Sequence, residues 1–287
     1  MSDAQREDAK RLATLLAERF GETVSVPADG ELPDVWRQLA NRGSCRDFTT
    51  DAVDDRLIET LAALALTSPT KSDLQQRDLV IVRDAGIRRR IDDLLTNGPL
   101  AQAWIPGAPA LVIFCGNNRR QRQIHELHGL PFVNDHLDAF FNAAVDAGIA
   151  LATFVTAAEA VGLGCCPISA IRNHAGAISD LIGLPDHVFP VAGLGLGWPA
   201  RTPRVSHRLP LSATVHHDRF DDASIAAVID GYDRRRSAAQ PYRNQRAVDV
   251  FGRSDRYGWS EDKARQYAGP ERSDWGAFVR AKGFKLD

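Results

Sequence analysis

Arg42 and Arg46 stand four residues apart in Arg42-Gly43-Ser44-Cys45-Arg46-Asp47-Phe48, with the Ser44 hydroxyl between them. A phosphate monoester carries up to two negative charges and accepts many hydrogen bonds, so two planar guanidinium forks on one short segment supply a cage for it. The other account of these residues is a solvated basic turn before a helix. Further patterns point away from other chemistries. His125-Glu126-Leu127-His128, with His136 nearby, lacks the H-E-x-x-H spacing and reads as surface histidines in a loop, so no metal is expected. No G-x-S-x-G supports hydrolysis by a serine triad.

The run Gly193-Leu194-Gly195-Leu196-Gly197 has dinucleotide-loop spacing, but Trp198-Pro199 follows at once, where a nucleotide fingerprint needs the start of a helix. These glycines are expected to let another backbone or a flat ligand approach a strand closely. Cys45, Cys115, Cys165 and Cys166 include no C-x-x-C pair and read as reduced, packed thiols.

The elements that must position these groups follow from periodicity. Helical spacing predicts helices over 4–20, 34–41, 54–66, 85–96 and 222–236, with Asp54 or a neighbour capping the third. Apolar runs predict strands over 79–82, 110–115 and 188–197, and Cys165 to Ile171 reads as a strand or edge loop. The helix expected over 135–161 is apolar on more than one face, which suits the centre of a large domain or the seam of a dimer. Gly162 and Gly164 end it.

The chain has 287 residues, 44% hydrophobic and 25% charged, with a formal charge of −2. That balance is ordinary for a globular α/β protein and argues neither for nucleic acid nor for an anionic membrane as partner. The charged start, MSDAQREDAKRLATLL, has no continuous apolar run, so a cytoplasmic protein is expected.

Taken in order, Arg42–Phe48, Ser68-Pro69-Thr70-Lys71-Ser72-Asp73-Leu74-Gln75, the long helix into Ala160-Val161-Gly162-Leu163-Gly164, Pro167-Ile168-Ser169, and Gly195-Leu196-Gly197-Trp198-Pro199-Ala200 followed by Arg208-Leu209-Pro210 resemble the nitroreductase superfamily. The likeness is greatest to its NADPH-preferring nitroreductase and flavin reductase P group, and it covers about residues 37–220. Three positions depart from the pattern: Asp73 replaces an asparagine, Ser206 a lysine and His207 a proline.

The resemblance implies an α+β fold, with a mixed, mainly antiparallel sheet flanked by helices and a long central helix at a homodimer interface. It implies an N-terminal helical arm over 1–33 and an FMN-binding domain over 34–220. The rest, 221–287, would be a C-terminal extension that wraps the partner or helps bind the nicotinamide. By the same resemblance Arg42, Gly43, Ser44, Arg46, His207 and Arg208 hold the FMN phosphate, and Ser72, Asp73, Gln75 and Asn97 face the flavin edge. Pro167, Ile168, Ser169 and Ala170 lie against the ring, with the backbone N–H groups of Ser169 and Ala170 near N5. No catalytic side chain is required, because the chemistry belongs to the cofactor.

Several alternatives stay open. Asp73 touches ribityl hydroxyls or faces solvent; Asn97 in Leu94–Pro99 is a flavin contact or a turn former; Gln75 reaches the flavin or is a solvated loop residue. Arg234-Arg235-Arg236 binds the 2′-phosphate of NADPH or is a solvated helix end. Trp198 and Phe132 shape a pocket or fill core. The expected activity is ping-pong transfer of hydride from NADPH or NADH through FMN to a small nitroaromatic, quinone or flavin acceptor. The alternatives are another FMN reaction (reductive dehalogenation, flavin breakdown or substrate dehydrogenation) and a flavin binder without turnover.

Overall fold

The computed structural model describes residues 3–27, 30–97 and 101–287. Its helices are α1 (Asp3–Phe20), α2 (Asp34–Asn41), α3 (Asp55–Leu66), α4 (Ala85–Thr96), α5 (Arg119–His128), α6 (Leu137–Ala160), α7 (Ala175–Leu181), α8 (Ile225–Ala239), α9 (Val248–Phe251), α10 (Trp259–Gln266) and α11 (Trp275–Ala281). Four strands, β1 (Arg77–Val82), β2 (Ala110–Asn117), β3 (Gly164–Ile168) and β4 (Val188–Gly197), form one sheet in the order β1-β2-β4-β3. Every described pairing is antiparallel, as in the mainly antiparallel sheet expected. The chain divides into two compact units: residues 1–43 with 205–271, and residues 44–204 with 272–287.

The second unit holds the sheet. β2 is buried along its whole length, which fits a central strand with apolar side chains on both faces. α3 and α6 cover one face, where Ile58, Leu61, Phe154, Ala158, Leu194 and Leu196 meet. α6 presents Ala143, Ala147, Ala150 and Ala158, all fully buried, so its backbone lies close to its neighbours. By length and composition alone α6 could also cross a membrane. The other face carries α4 and α7, with Ile91, Ile113, Ile171 and Ile178 in the cluster. Asp54 caps α3 by accepting from the Arg56 N–H at 2.7 Å, as its sequence position suggests.

The glycine run of β4 is explained by packing. A Cβ at Gly193, Gly195 or Gly197 would stand 2.9 Å from Ile171, 2.9 Å from Trp104 and 2.4 Å from Pro109, so side chains of the same unit occupy that face. They, rather than a flat ligand, are what the glycines admit.

The first unit is helical. Ala9 and Leu12 of α1 pack with Leu32 and with Ala40 of α2. In its C-terminal part Tyr232 of α8 meets Trp259 edge-on at 5.1 Å, and the buried carboxylate of Asp262 accepts from the Tyr257 hydroxyl at 2.8 Å.

Periodicity did not reveal α5, α7 or α9 to α11. The clearest difference is α5, where a histidine-bearing loop was expected. Its sequence, RRQRQIHELH, buries no residue and so has no apolar stripe to detect. The Arg122 guanidinium stacks over the Phe132 ring at 4.7 Å, and Gly129 at φ 61° closes the helix.

Candidate functional site

β3 is one of the two edge strands of the sheet, and the segment after Gly43 is laid beside it. The Cys45 N–H donates to the Cys165 carbonyl at 3.0 Å, Thr49 donates to Trp198 at 2.8 Å, and Phe48 bridges Pro199. Gly164 makes the approach possible, since a Cβ there would fall 2.6 Å from the Cys45 Cβ. Cys45 turns inward while Ser44 and Arg46 on either side are exposed. Burial pushes the Cys45 thiol above its usual range, so it stays neutral between them. Arg46 lies over the Trp104 ring, 6.0 Å from its centroid.

On β3 itself Pro167 is exposed, Ile168 is buried, and Ser169 is exposed as the chain turns into a short 3-10 segment with Ala170. The structure therefore groups Ser44 and Arg46 with the strand that runs into Pro167–Ala170. One guanidinium and one hydroxyl donor stand beside a strand whose other residues are packed, an arrangement suited to an anion with a flat ring attached.

A second cluster is the loop over residues 70–76. Ser72, Asp73 and Gln75 adopt φ values of 50°, 55° and 52°, the left-handed region that L-residues occupy at a cost. Asp146, midway along α6 and 1% exposed, stabilises this conformation. Its two carboxylate oxygens accept from the Lys71 N–H at 3.1 Å and the Gln76 N–H at 3.0 Å. Arg120 of α5 adds a bond to the Gln75 carbonyl at 2.6 Å and an ion pair with Asp78 at 2.6 Å. The side chains of Ser72, Asp73 and Gln75 are left exposed. Gln75 donates to Asp73 at 3.4 Å, which gives this carboxylate a local partner where the family pattern has an amide.

Asn97 stands at the end of α4. It caps the C-terminal end of α4, donates to the Asp93 carbonyl at 2.6 Å, and lines a cavity of about 510 Å³ with Arg90, His174 and Asp180. The turn expected after it, over 98–100, lies outside the described residues.

Arg42, Gly43, His207 and Arg208 belong to the helical unit. Arg19 of α1, 5% exposed, donates to the Ala40 carbonyl at 2.7 Å and the Arg42 carbonyl at 3.0 Å. Arg208 donates from its backbone to the Arg19 carbonyl at 2.8 Å, and its side chain bonds the Ser206 hydroxyl at 2.7 Å. The Tyr232 hydroxyl donates to the His207 carbonyl at 3.1 Å.

In the triplet of arginines, Arg235 reaches the Arg208 carbonyl at 2.6 Å, and burial pushes its guanidinium below the usual range. Arg234 pairs with Asp230, and Arg236 stacks over Tyr242 at 5.3 Å. The triplet is thus more than a solvated helix end. His125 and His128 lie on α5, and His136 caps α6. Trp198 packs against the core.

The sequence held a signal for Asp146 that went unused: a lone carboxylate in the middle of an apolar helix needs partners. Arg19 gave none, because an arginine near a helix end is ordinary.

Comparison with known proteins bears on this arrangement. The model of the nitroreductase family matches residues 39–198, and that of the nitroreductase family C-terminal domain matches residues 206–287. The chain belongs to the nitroreductase family. It is an oxidoreductase of that family. It is 30% identical over 257 residues to the FMN reductase [NAD(P)H] of Bacillus subtilis, covering 88% of this chain and 99% of that one. To the NADPH-flavin oxidoreductase of Vibrio harveyi it is 29% identical over 248 residues, covering 85% and 95%. Among solved structures, NfrA2 of B. megaterium superposes with a TM-score of 0.79 at 29% identity, covering 89% of this chain and all of that one. The α+β fold and the family resemblance expected from the motifs are therefore correct.

Proposed function

We propose that the chain is an FMN-dependent NAD(P)H oxidoreductase acting on small electron-poor acceptors, namely nitroaromatics, quinones or free flavin. The observation that carries this reading is the Cys45–Cys165 hydrogen bond, which fixes exposed Ser44 and Arg46 beside the strand leading to Pro167–Ala170. The donor set fits FMN: charged and hydroxyl donors for a phosphate, and an exposed backbone edge for the ring's polar atoms. The printed names of the Bacillus and Vibrio relatives, an FMN reductase and an NADPH-flavin oxidoreductase, support the same assignment.

In this reading Arg42, Gly43, Ser44, Arg46, His207 and Arg208 hold the phosphate. Ser72, Asp73, Gln75 and Asn97 are assigned to the flavin edge, and Pro167 and Ile168 to the ring face. The backbone N–H groups of Ser169 and Ala170 are assigned to N5, where fixed donors favour developing negative charge. When bound, FMN would supply the two-electron chemistry of a ping-pong cycle between NADPH or NADH and the acceptor. The side chains bind and orient; none is needed as acid or base.

We assign the enzyme a homodimeric, cytoplasmic form, in which 1–33 is an arm, 34–220 the FMN-binding stretch and 221–287 a C-terminal extension. Support for the dimer comes from α6, where Leu137, Phe141 and Val145 repeat every fourth residue and are 49%, 58% and 41% exposed. An apolar stripe of this kind is suited to a second copy. Four free, buried thiols suit a reducing compartment.

The test is steady-state oxidation of NADPH and NADH with a nitroarene, a quinone and free FMN as acceptors. Parallel double-reciprocal plots with at least one acceptor are expected; no turnover with any of them would overturn the reading.

A further inference from the structure

We infer that Arg19, in the helix preceding the family-matched region, is a positioning residue that sets two of the three phosphate-binding arginines, Arg42 and Arg208. This inference rests on the FMN assignment above and adds to it a residue outside the matched spans 39–198 and 206–287.

α2 ends at Asn41, one residue beyond Ala40. The last carbonyls of a helix lack intrahelical partners and carry the negative end of its dipole, so they need donors when buried. Arg19 supplies them from α1: one guanidinium nitrogen donates to Ala40 at 2.7 Å and Leu39 at 3.3 Å, and the other to the Arg42 carbonyl at 3.0 Å. A planar fork can serve such divergent acceptors at once, whereas an ammonium cannot reproduce its geometry.

The backbone of Arg19 holds the second segment. Its carbonyl accepts the Arg208 N–H at 2.8 Å, and Arg235 links the same carbonyl at 3.3 Å to the Arg208 carbonyl at 2.6 Å. The peptide groups on both sides of the Arg208 side chain are therefore fixed. Gly21 permits this approach, because a Cβ there would fall 2.4 Å from the Arg235 guanidinium. Glu22 extends the clamp, accepting the Leu211 N–H at 2.6 Å and the Ser212 hydroxyl at 3.2 Å. Through these bonds the end of α1 ties the chain before Gly43 to the chain after Val205, and each tied segment carries one of the arginines assigned to the phosphate. Preorganised donors bind an anion more tightly than donors that must first be ordered.

Riboflavin, which lacks the phosphate, separates positioning from general support of the fold. Fluorescence titration of apoprotein with FMN and with riboflavin is performed on the wild type and on Arg19→Lys, with circular dichroism as the check on folding. The expected result is FMN affinity down about tenfold and riboflavin affinity changed less than about twofold, a magnitude set by a charge-assisted hydrogen-bond network. An unchanged FMN-to-riboflavin ratio in folded Arg19→Lys, or parallel weakening of both ligands, would overturn the inference.

Glu22→Gln reads the same ratio from a half-buried side chain should Arg19→Lys not fold, and there too a fall supports the clamp and constancy refutes it. The FMN assignment fails separately: its failure appears as wild-type apoprotein that does not prefer FMN over riboflavin.

Discussion

Asp146 of α6 accepts the backbone N–H of Gln76 at 3.0 Å, so a buried carboxylate in the core helix governs the loop that presents Ser72, Asp73 and Gln75. Its second oxygen holds Lys71 at 3.1 Å. Asp146→Ala strands both N–H groups and releases three residues from left-handed backbone; a loss of about 2–4 kcal/mol is expected from two charge-assisted bonds. Asp146→Asn keeps one acceptor and should lose roughly half as much. Urea denaturation measures both, and a loss below about 0.5 kcal/mol in the alanine variant would mean that the loop holds itself.

The exposed stripe on α6 gives a prediction about assembly. Phe141, 58% exposed, lies at its middle. Phe141→Lys puts a charge where the proposed dimer would exclude water, and light scattering should then find half the wild-type mass. A wild type that is monomeric at micromolar concentration would overturn the dimer, and a lysine variant that stays dimeric would place the interface elsewhere.

Acid should weaken the fold through Asp135. Hydrogen bonding from Arg122 leads the effects that lower its pKa from 3.8 to about 2, with Lys285 adding to it at 2.9 Å. A carboxylate with a depressed folded-state pKa stabilises the native state fully above its unfolded value and loses that contribution as pH falls through the folded one. Stability should therefore drop by about 1 kcal/mol between pH 4 and pH 2, after allowance for solvent screening. Arg122→Ala should flatten this part of the profile. Denaturation midpoints measured across that range decide it, and an equal slope in the variant would assign the acid sensitivity to other groups.

The parts legible in the sequence were those with a period or an ordered motif. α3, α4, α6 and β4 announce themselves by apolar spacing, and α6 was placed within two residues at each end, at Leu137–Ala160 against 135–161. The Ser44–Arg46 segment and Pro167–Ala170 could be joined only through the resemblance, because the Cys45–Cys165 bond that lays the first beside β3 is a long-range pairing that no local spacing encodes. α5 was missed because it buries nothing, and α9 to α11, at 4, 8 and 7 residues, are too short to show a repeating apolar face. From the sequence, Asp73 touches ribityl hydroxyls or faces solvent. In the structure it accepts from Gln75, a local partner that its type alone did not suggest.

In the proposed function the chain grips FMN by its phosphate, with Arg46 among the donors. The most direct test is fluorescence titration of wild-type and Arg46→Ala apoprotein with FMN, following the absorption spectrum of the protein as purified. The expected results are a yellow wild type with a flavin spectrum and a Kd raised by about 10- to 100-fold in the variant, the cost of removing one arginine–phosphate contact. A wild type that binds no FMN, or an Arg46→Ala protein with unchanged Kd, would contradict this proposal.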